Sequence, residues 1–125
     1  MAEIINNGMK KMIEDNAMGL ATINVDNTPN NIAIGYVKVI EKNKLLISNN
    51  YLKTTVENIK RNSNVSIVVW PADWKKNYIG YELKGKAEYF TEGKYCEMIK
   101  KLPINKGEPS RGAIVVTINN VKVLG

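Results

Sequence analysis

Residues 26–49, DNTPNNIAIGYVKVIEKNKLLISN, hold two apolar runs, each preceded by a short polar turn. Asp26 and Asn27 tolerate unusual backbone angles and Pro29 fixes one, so the first turn predicts a hairpin into the run NIAIGYVKVI at 31–40. Gly35, in the middle of that run, suggests a bend, a bulge or a close approach by something else. EKNK at 41–44 makes a second turn, and LLISN at 45–49 reads as the next strand. Turns this short join antiparallel neighbours, because a parallel crossover takes a dozen or more residues.

The same alternation extends in both directions. GLATINV at 19–25 and NVSIVVW at 64–70 read as strands, and AIVVTINNVKVL at 113–124 as the last one. IGYELKGKAEYF at 79–90 is the clearest, with Tyr81, Leu83, Gly85, Ala87 and Tyr89 on one face and Glu82, Lys84, Lys86 and Glu88 on the other. Helical spacing appears three times. Ile5, Met9, Met12 and Ile13 predict an amphipathic helix near 3–15, lying as a lid over the sheet. Leu52, Val56 and Ile59 share a side of a second helix, and Tyr95, Met98, Ile99 and Leu102 mark a short third one. PADWKKNY at 71–78 and PINKGEPSRG at 103–112 are loops. Hairpins outnumber helices, so the chain reads as mainly β: an antiparallel barrel with peripheral helices, whose closure removes exposed sheet edges.

Composition narrows the function. The 125 residues, 44% hydrophobic and 24% charged, suffice for one compact core, and residues 1–125 are read as a single domain. No stretch approaches the roughly 20 continuous apolar residues of a membrane helix. MAEIINNGMKKMIEDN at 1–16 lacks the central apolar block of a signal peptide, so the expected location is cytoplasmic, with no membrane partner. Cys96 is the single cysteine and histidine is absent, which excludes an internal disulfide, Cys/His zinc sites and His-based acid–base catalysis. Cys96 falls at a helical spacing that packing explains. If the protein is an enzyme, a bound cofactor carries the chemistry. The net charge of +6 favours an anionic partner without choosing among a phosphate-bearing cofactor, nucleic acid and a membrane surface.

Lys53, Thr54 and Thr55 open the second helix. A helix start offers unpaired N–H groups and a positive dipole end, and an ammonium with two hydroxyls would complete an anion site suited to phosphate. Thr54 with Glu57 three residues later also fits a capping box, in which side chain and backbone satisfy one another without a ligand.

The order of these segments resembles the FMN-binding split barrel family, related to pyridoxamine 5′-phosphate oxidase, and in particular its small FMN-binding members. The likeness rests on LAT at 20–22, Pro29 after the acidic turn, Lys53–Thr54, Asn58, NVS at 64–66 and the GYELKGKAEYF strand, and runs from about residue 17 to the carboxyl end. It implies a six-stranded split barrel that forms a homodimer with FMN at the subunit interface. Under that resemblance Lys53 and Thr54 contact the phosphate, with Thr55 or its backbone close by. Ser48, Asn49 and Asn50 lie along the ribityl chain and flavin edge. Ile34, Gly35 and Tyr36 run beside the isoalloxazine, where Gly35 permits a close approach; barrel packing is the alternative for Ile34 and Tyr36. EPSRGAIVV at 108–116 resembles the segment that reaches the other subunit's flavin, so Arg111 faces flavin or phosphate, or else solvent. Pro109 stands where some relatives place an aromatic residue against the ring.

The implied function is an FMN flavoprotein, an oxidoreductase or electron-transfer protein with an unidentified redox donor and acceptor. This chain is much shorter than pyridoxamine 5′-phosphate oxidase and lacks its carboxyl-terminal substrate-binding region, so that enzyme's own activity is not implied. Two alternatives stand beside it. The same barrel could hold a deazaflavin or a flavin derivative. A small basic barrel could instead bind single-stranded nucleic acid through Trp70, Trp74 and Tyr78 near Lys75 and Lys76, although the aromatic fraction is only 7% and the cluster is confined to one loop. Trp70 closes an apolar strand, so core packing explains it at least as well, and no nucleic-acid partner is expected.

Overall fold

The computed structural model describes residues 5–102 and 110–124. The elements follow in the order α1 (Asn7–Asp15), β1 (Met18–Ile23), β2 (Pro29–Ile34), β3 (Val37–Glu41), β4 (Lys44–Ser48), α2 (Lys53–Arg61), β5 (Asn64–Val69), β6 (Gly80–Phe90), α3 (Lys94–Lys101) and β7 (Ala113–Leu124). All seven strands form one antiparallel sheet in the order β2-β1-β5-β6-β7-β4-β3.

The expected count of six strands is corrected to seven because the run at 31–40 is two strands. Gly35 and Tyr36 interrupt it, and Tyr36 turns the chain with a left-handed φ of 57°. The interruption sets the architecture. β2 and β3 are the two edges of the sheet, yet two residues join them. Seven flat strands would hold their edges about 29 Å apart. Three peptide units reach about 11 Å at most. The sheet must therefore roll until its edges meet at residues 34–37, giving a barrel split along the β2–β3 seam.

The seam strands are protected. β2 starts at Pro29, a residue whose missing N–H suits an edge. β3 is covered by α1, and Glu14 of that helix accepts a hydrogen bond from the Val39 N–H at 2.9 Å. α1 is capped by Asn6, whose side chain accepts from the Met9 N–H at 2.9 Å, and it buries Met9 and Ile13. The expected helix near 3–15 thus starts at Asn7, and residues 3 and 4 lie outside the described ones.

The barrel interior takes the alternate residues of each strand, among them Leu20, Leu45, Ile47, Ile67, Leu83, Ile114 and Ile118. α3 covers part of the outer face, where Ile99 closes over Leu46, Ala113 and Val115, and Cys96 packs half-buried at its edge. α2 is fastened to β1 by polar groups. Asn58, itself buried, donates to Thr22 Oγ1 at 3.0 Å and Asn24 Oδ1 at 2.9 Å, and Arg61 donates to the Ile23 carbonyl at 2.6 Å. At the β1–β2 turn the Asp26 carboxylate accepts from the Thr28 hydroxyl and N–H, which holds its pKa below the usual carboxylate range. A lowered folded-state pKa means that this turn's stabilisation is present above the ordinary value of 3.8 and is lost as pH falls through the lower one. Among the described residues, no helix is long and apolar enough to cross a membrane.

β6 and β7 form the longest ladder, with a register shift between Lys84 and Gly85 that leaves Asn119 as the extra residue. Gly85 sits against the Thr117 carbonyl, where any Cβ would collide with backbone. Gly85→Ala is therefore expected to lower unfolding free energy by roughly 1–3 kcal/mol. Urea denaturation checks this, and an unchanged midpoint would show that the ladder can shift.

Candidate functional site

Where β2 gives way to β3, the inner end of β4 and the turn after it come alongside. Ala33, Ile34, Gly35, Tyr36, Ile47, Ser48, Asn50, Tyr51 and Leu52 line an open cleft of about 140 Å³. Ile34 and Ile47 form a buried apolar floor, and the Tyr36 and Tyr51 side chains stand at the surface, the residues 52% and 68% exposed. A Cβ at Gly35 would meet no atom within 4 Å, so packing within this chain does not require glycine there. Tyr36 is different. A tyrosine with positive φ is uncommon and costs free energy, and such residues gather at sites that use the strain.

Directly after the cleft comes the start of α2. The capping-box expectation is corrected here. Leu52 is the N-cap, no side-chain cap bond is made, and Thr54 is already the second residue of the helix. The helix begins earlier because Asn49 Oδ1 accepts from the Leu52 N–H at 2.8 Å, fixing the turn one step before it. The first turn contains no acid, while the last turn carries Lys60 and Arg61 to match the negative dipole end. Lys53 and Thr54 are exposed at the positive end, and Lys53 is unfavourable there in the absence of an anion. Thr55 is buried, which directs its side chain inward and leaves its backbone at the helix start.

Of the other sequence candidates, Ser48 and Asn50 sit in the cleft wall, with the Ser48 hydroxyl donating to Asn50 Oδ1 at 2.6 Å and lying 3.1 Å from the Ser110 hydroxyl. Asn49 lies beneath the cleft, 5% exposed, and its side-chain amide donates to the Tyr89 hydroxyl at 2.9 Å. Arg111 is exposed, and its N–H donates to the Asn49 carbonyl at 2.8 Å. The structure thus gathers Ile34, Gly35, Tyr36, Ser48 and Asn50 in one cleft, with Lys53 and Thr54 following along the chain. Pro109 lies outside the described residues.

Sequence reasoning missed Ile47, Tyr51 and Leu52 as cleft residues, although each adjoins a candidate it named. Tyr89 shares a strand face with Leu83 and Ala87, and its bond to Asn49, forty positions away, has no local signature. The 70–79 loop also differs from expectation. Trp70, which its apolar strand would place in the core, is 46% exposed, and Trp74 and Tyr78 are exposed with it. Lys75 lies over the Trp74 ring at 5.6 Å, and none of these residues lines the cleft.

The chain is thus an antiparallel split barrel with a cleft at its seam and a basic helix start beside it. The chain belongs to the pyridoxamine 5′-phosphate oxidase family, whose profile matches residues 6–125. It is 31% identical over 117 residues to an uncharacterised protein of Methanocaldococcus jannaschii, covering 90% of this chain and 76% of that one. Solved structures share the fold at lower identity. HupZ of group A Streptococcus matches with a TM-score of 0.87 at 22% identity, over 97% of this chain and 94% of that one. An FMN-binding protein of Syntrophomonas wolfei gives 0.78 at 17%, over 93% and 83%. An F420 reductase gives 0.73 at 21%, over 94% and 98%.

Three substitutions test this geometry without any ligand. Thr54→Ala is expected to change stability by less than about 0.5 kcal/mol, because a true capping threonine would cost 0.5–2. A larger loss in thermal or urea unfolding would restore the capping role. Tyr36→Gly relieves the left-handed conformation and is expected to leave stability within about 1 kcal/mol of the parent, whereas Tyr36→Val is expected to lower it by more than that. Equal losses in both variants would show that the ring, not the backbone, matters at this position.

Proposed function

We propose that this protein is a flavin-binding oxidoreductase or electron-transfer protein that holds FMN at the seam cleft, between two copies of the chain. The observation that carries this reading is the start of α2: a helix end with no side-chain cap and no acid, bearing exposed Lys53 and Thr54, next to a cleft with an apolar floor. That pairing suits a ligand with a phosphate at one end and a flat, largely apolar ring at the other. The FMN-binding protein of Syntrophomonas wolfei, which shares the fold, supports the choice of ring.

In this reading Lys53, Thr54 and the N–H groups of the first turn hold the phosphate, with the backbone of Thr55 among them. Ser48 and Asn50 bind the ribityl hydroxyls, above the Asn49 turn. Ile34, Ile47 and Leu52 exclude water from one ring face, and backbone groups of Gly35, Tyr36 and Asn50 hydrogen-bond its polar edge. Arg111 adds positive charge near that edge or toward the partner copy. FMN, when bound, supplies hydride or one-electron chemistry, and the chain contributes binding, orientation and electrostatic tuning. The cleft of one chain, about 140 Å³, is smaller than the 300–1,000 Å³ usual for ligands of this size. A second copy covering Tyr36 and Tyr51 would complete it, which supports the homodimer. The redox donor and acceptor are small molecules or proteins that reach the ring from its open side.

A deazaflavin is the second reading, favoured by the F420 reductase that shares the fold. The two cofactors separate by visible absorption of the purified protein and by the mass of the released compound. FMN is expected, with two flavin bands; a deazaflavin mass would replace it, and a colourless protein that takes up neither would end the flavin reading. Lys53→Ala is expected to weaken FMN binding by about 1.5–3 kcal/mol while leaving riboflavin binding nearly unchanged. Equal FMN affinity in that variant would remove Lys53 from the phosphate site. In solution the FMN-loaded protein is expected to elute as a dimer, and a monomer with tight FMN binding would contradict the shared cleft.

A further inference from the structure

Tyr89 lies on β6, outside the cleft, yet it is bonded to the turn after β4, which lines the cleft, and to the 110–112 segment, which is bonded to that turn. Its hydroxyl accepts from Asn49 Nδ2 at 2.9 Å and donates to the Arg111 carbonyl at 3.1 Å, which uses the phenol's single proton. The same two segments are tied directly by the backbone: the Asn49 N–H donates to the Gly112 carbonyl at 2.9 Å, and the Arg111 N–H donates to the Asn49 carbonyl at 2.8 Å. The ring is held from two further sides. Lys60 Nζ of α2 lies 5.4 Å from its centroid, and Gly112 approaches so closely that any Cβ there would collide with the phenol.

From Tyr89 a chain of bonds leads to the helix start. The Asn49 amide that donates to the phenol also turns its oxygen to the Leu52 N–H, and the Leu52 carbonyl receives the Val56 N–H at 2.9 Å as the first bond of α2. Asn49 is 5% exposed, so water does not readily replace a lost partner. Without the phenol oxygen its amide must reorient to find another acceptor. Its hold on Leu52 then loosens, and the direction of the first turn with it.

We propose that Tyr89 is a positioning residue for the anion end of the cleft: through Asn49 and Leu52 it aims the N–H groups of the first α2 turn at the ligand phosphate. This rests on the flavin reading above. Several aligned N–H groups bind phosphate only while they converge on one point. A small rotation of the turn therefore weakens the phosphate contact and leaves the ring floor, Ile34 and Ile47, in place.

The test compares FMN with riboflavin, which has the same ring and ribityl chain without the phosphate. Dissociation constants for both are measured by flavin fluorescence with the parent, Tyr89→Phe and a control, Ile67→Val, which softens the core away from the cleft. Tyr89→Phe is expected to shrink the preference for FMN over riboflavin by about 3–10-fold, the range of one or two lost hydrogen bonds. Ile67→Val is expected to lower thermal stability without moving that ratio. An unchanged ratio in Tyr89→Phe overturns this inference and leaves the flavin reading standing; a parent protein that binds neither flavin overturns both. A second measurement needs no ligand. Amide hydrogen exchange at Leu52 is expected to quicken about tenfold in Tyr89→Phe relative to the β5 core, and exchange that stays at the parent rate overturns the inference as well.

Discussion

Gly35 and Tyr36 carry the chain from one edge of a seven-stranded sheet to the other, and the rest of the structure depends on that two-residue step. Because the link is short, the sheet is obliged to roll, and because it rolls, one compact interior is shared by all seven strands. The same step leaves a gap at the seam. There the β2 end, the β3 start and the β4 end surround a cleft with an apolar floor, and the backbone departs from strand geometry through a tyrosine with positive φ. Closure of the barrel and creation of the cleft are therefore one event in the fold.

A second constraint brings charge to that cleft. The turn 49–52 is set by Asn49, whose backbone and side chain bond in four directions, to Gly112, Arg111, Leu52 and Tyr89. This fixes where α2 begins, two residues before the position that a capping box at Thr54 and Glu57 would require. Lys53 and Thr54 are consequently presented outward at a positive helix end instead of being consumed in a cap. The polar anchorage of Asn58 and Arg61 to β1 holds the far end of the same helix, so both ends of α2 are referred to the barrel.

Much of this was legible in the sequence, and the failures have physical causes. Period-two alternation over 79–90 and the Asp-Asn-Thr-Pro turn mark strands and a hairpin because their signals are local. The break at 35–36 was not legible as a strand boundary: glycine inside an apolar run is equally a bulge, and a left-handed tyrosine carries no residue-type signature. The capping box was a sound local pattern that lost to a tertiary bond from Asn49. Tyr89 shows the same limit from the other side, since its alternation placed it on the inner face but its partners lie 40 and 22 positions away. Trp70 ends an apolar run, a pattern that packing explains as readily as binding, yet it is half-exposed because β5 stops at Val69 and the chain leaves the sheet there.

In the proposed function the seam cleft and the α2 start act as one ligand site. The most direct test is titration of isotopically labelled protein with FMN, followed through backbone amide chemical shifts. The largest changes are expected to fall together on residues 33–36 and 48–55, with the 70–79 loop undisturbed beyond what dimerisation alone produces. Changes centred on Trp70, Trp74 and Tyr78, with residues 33–36 and 48–55 unmoved, would contradict it.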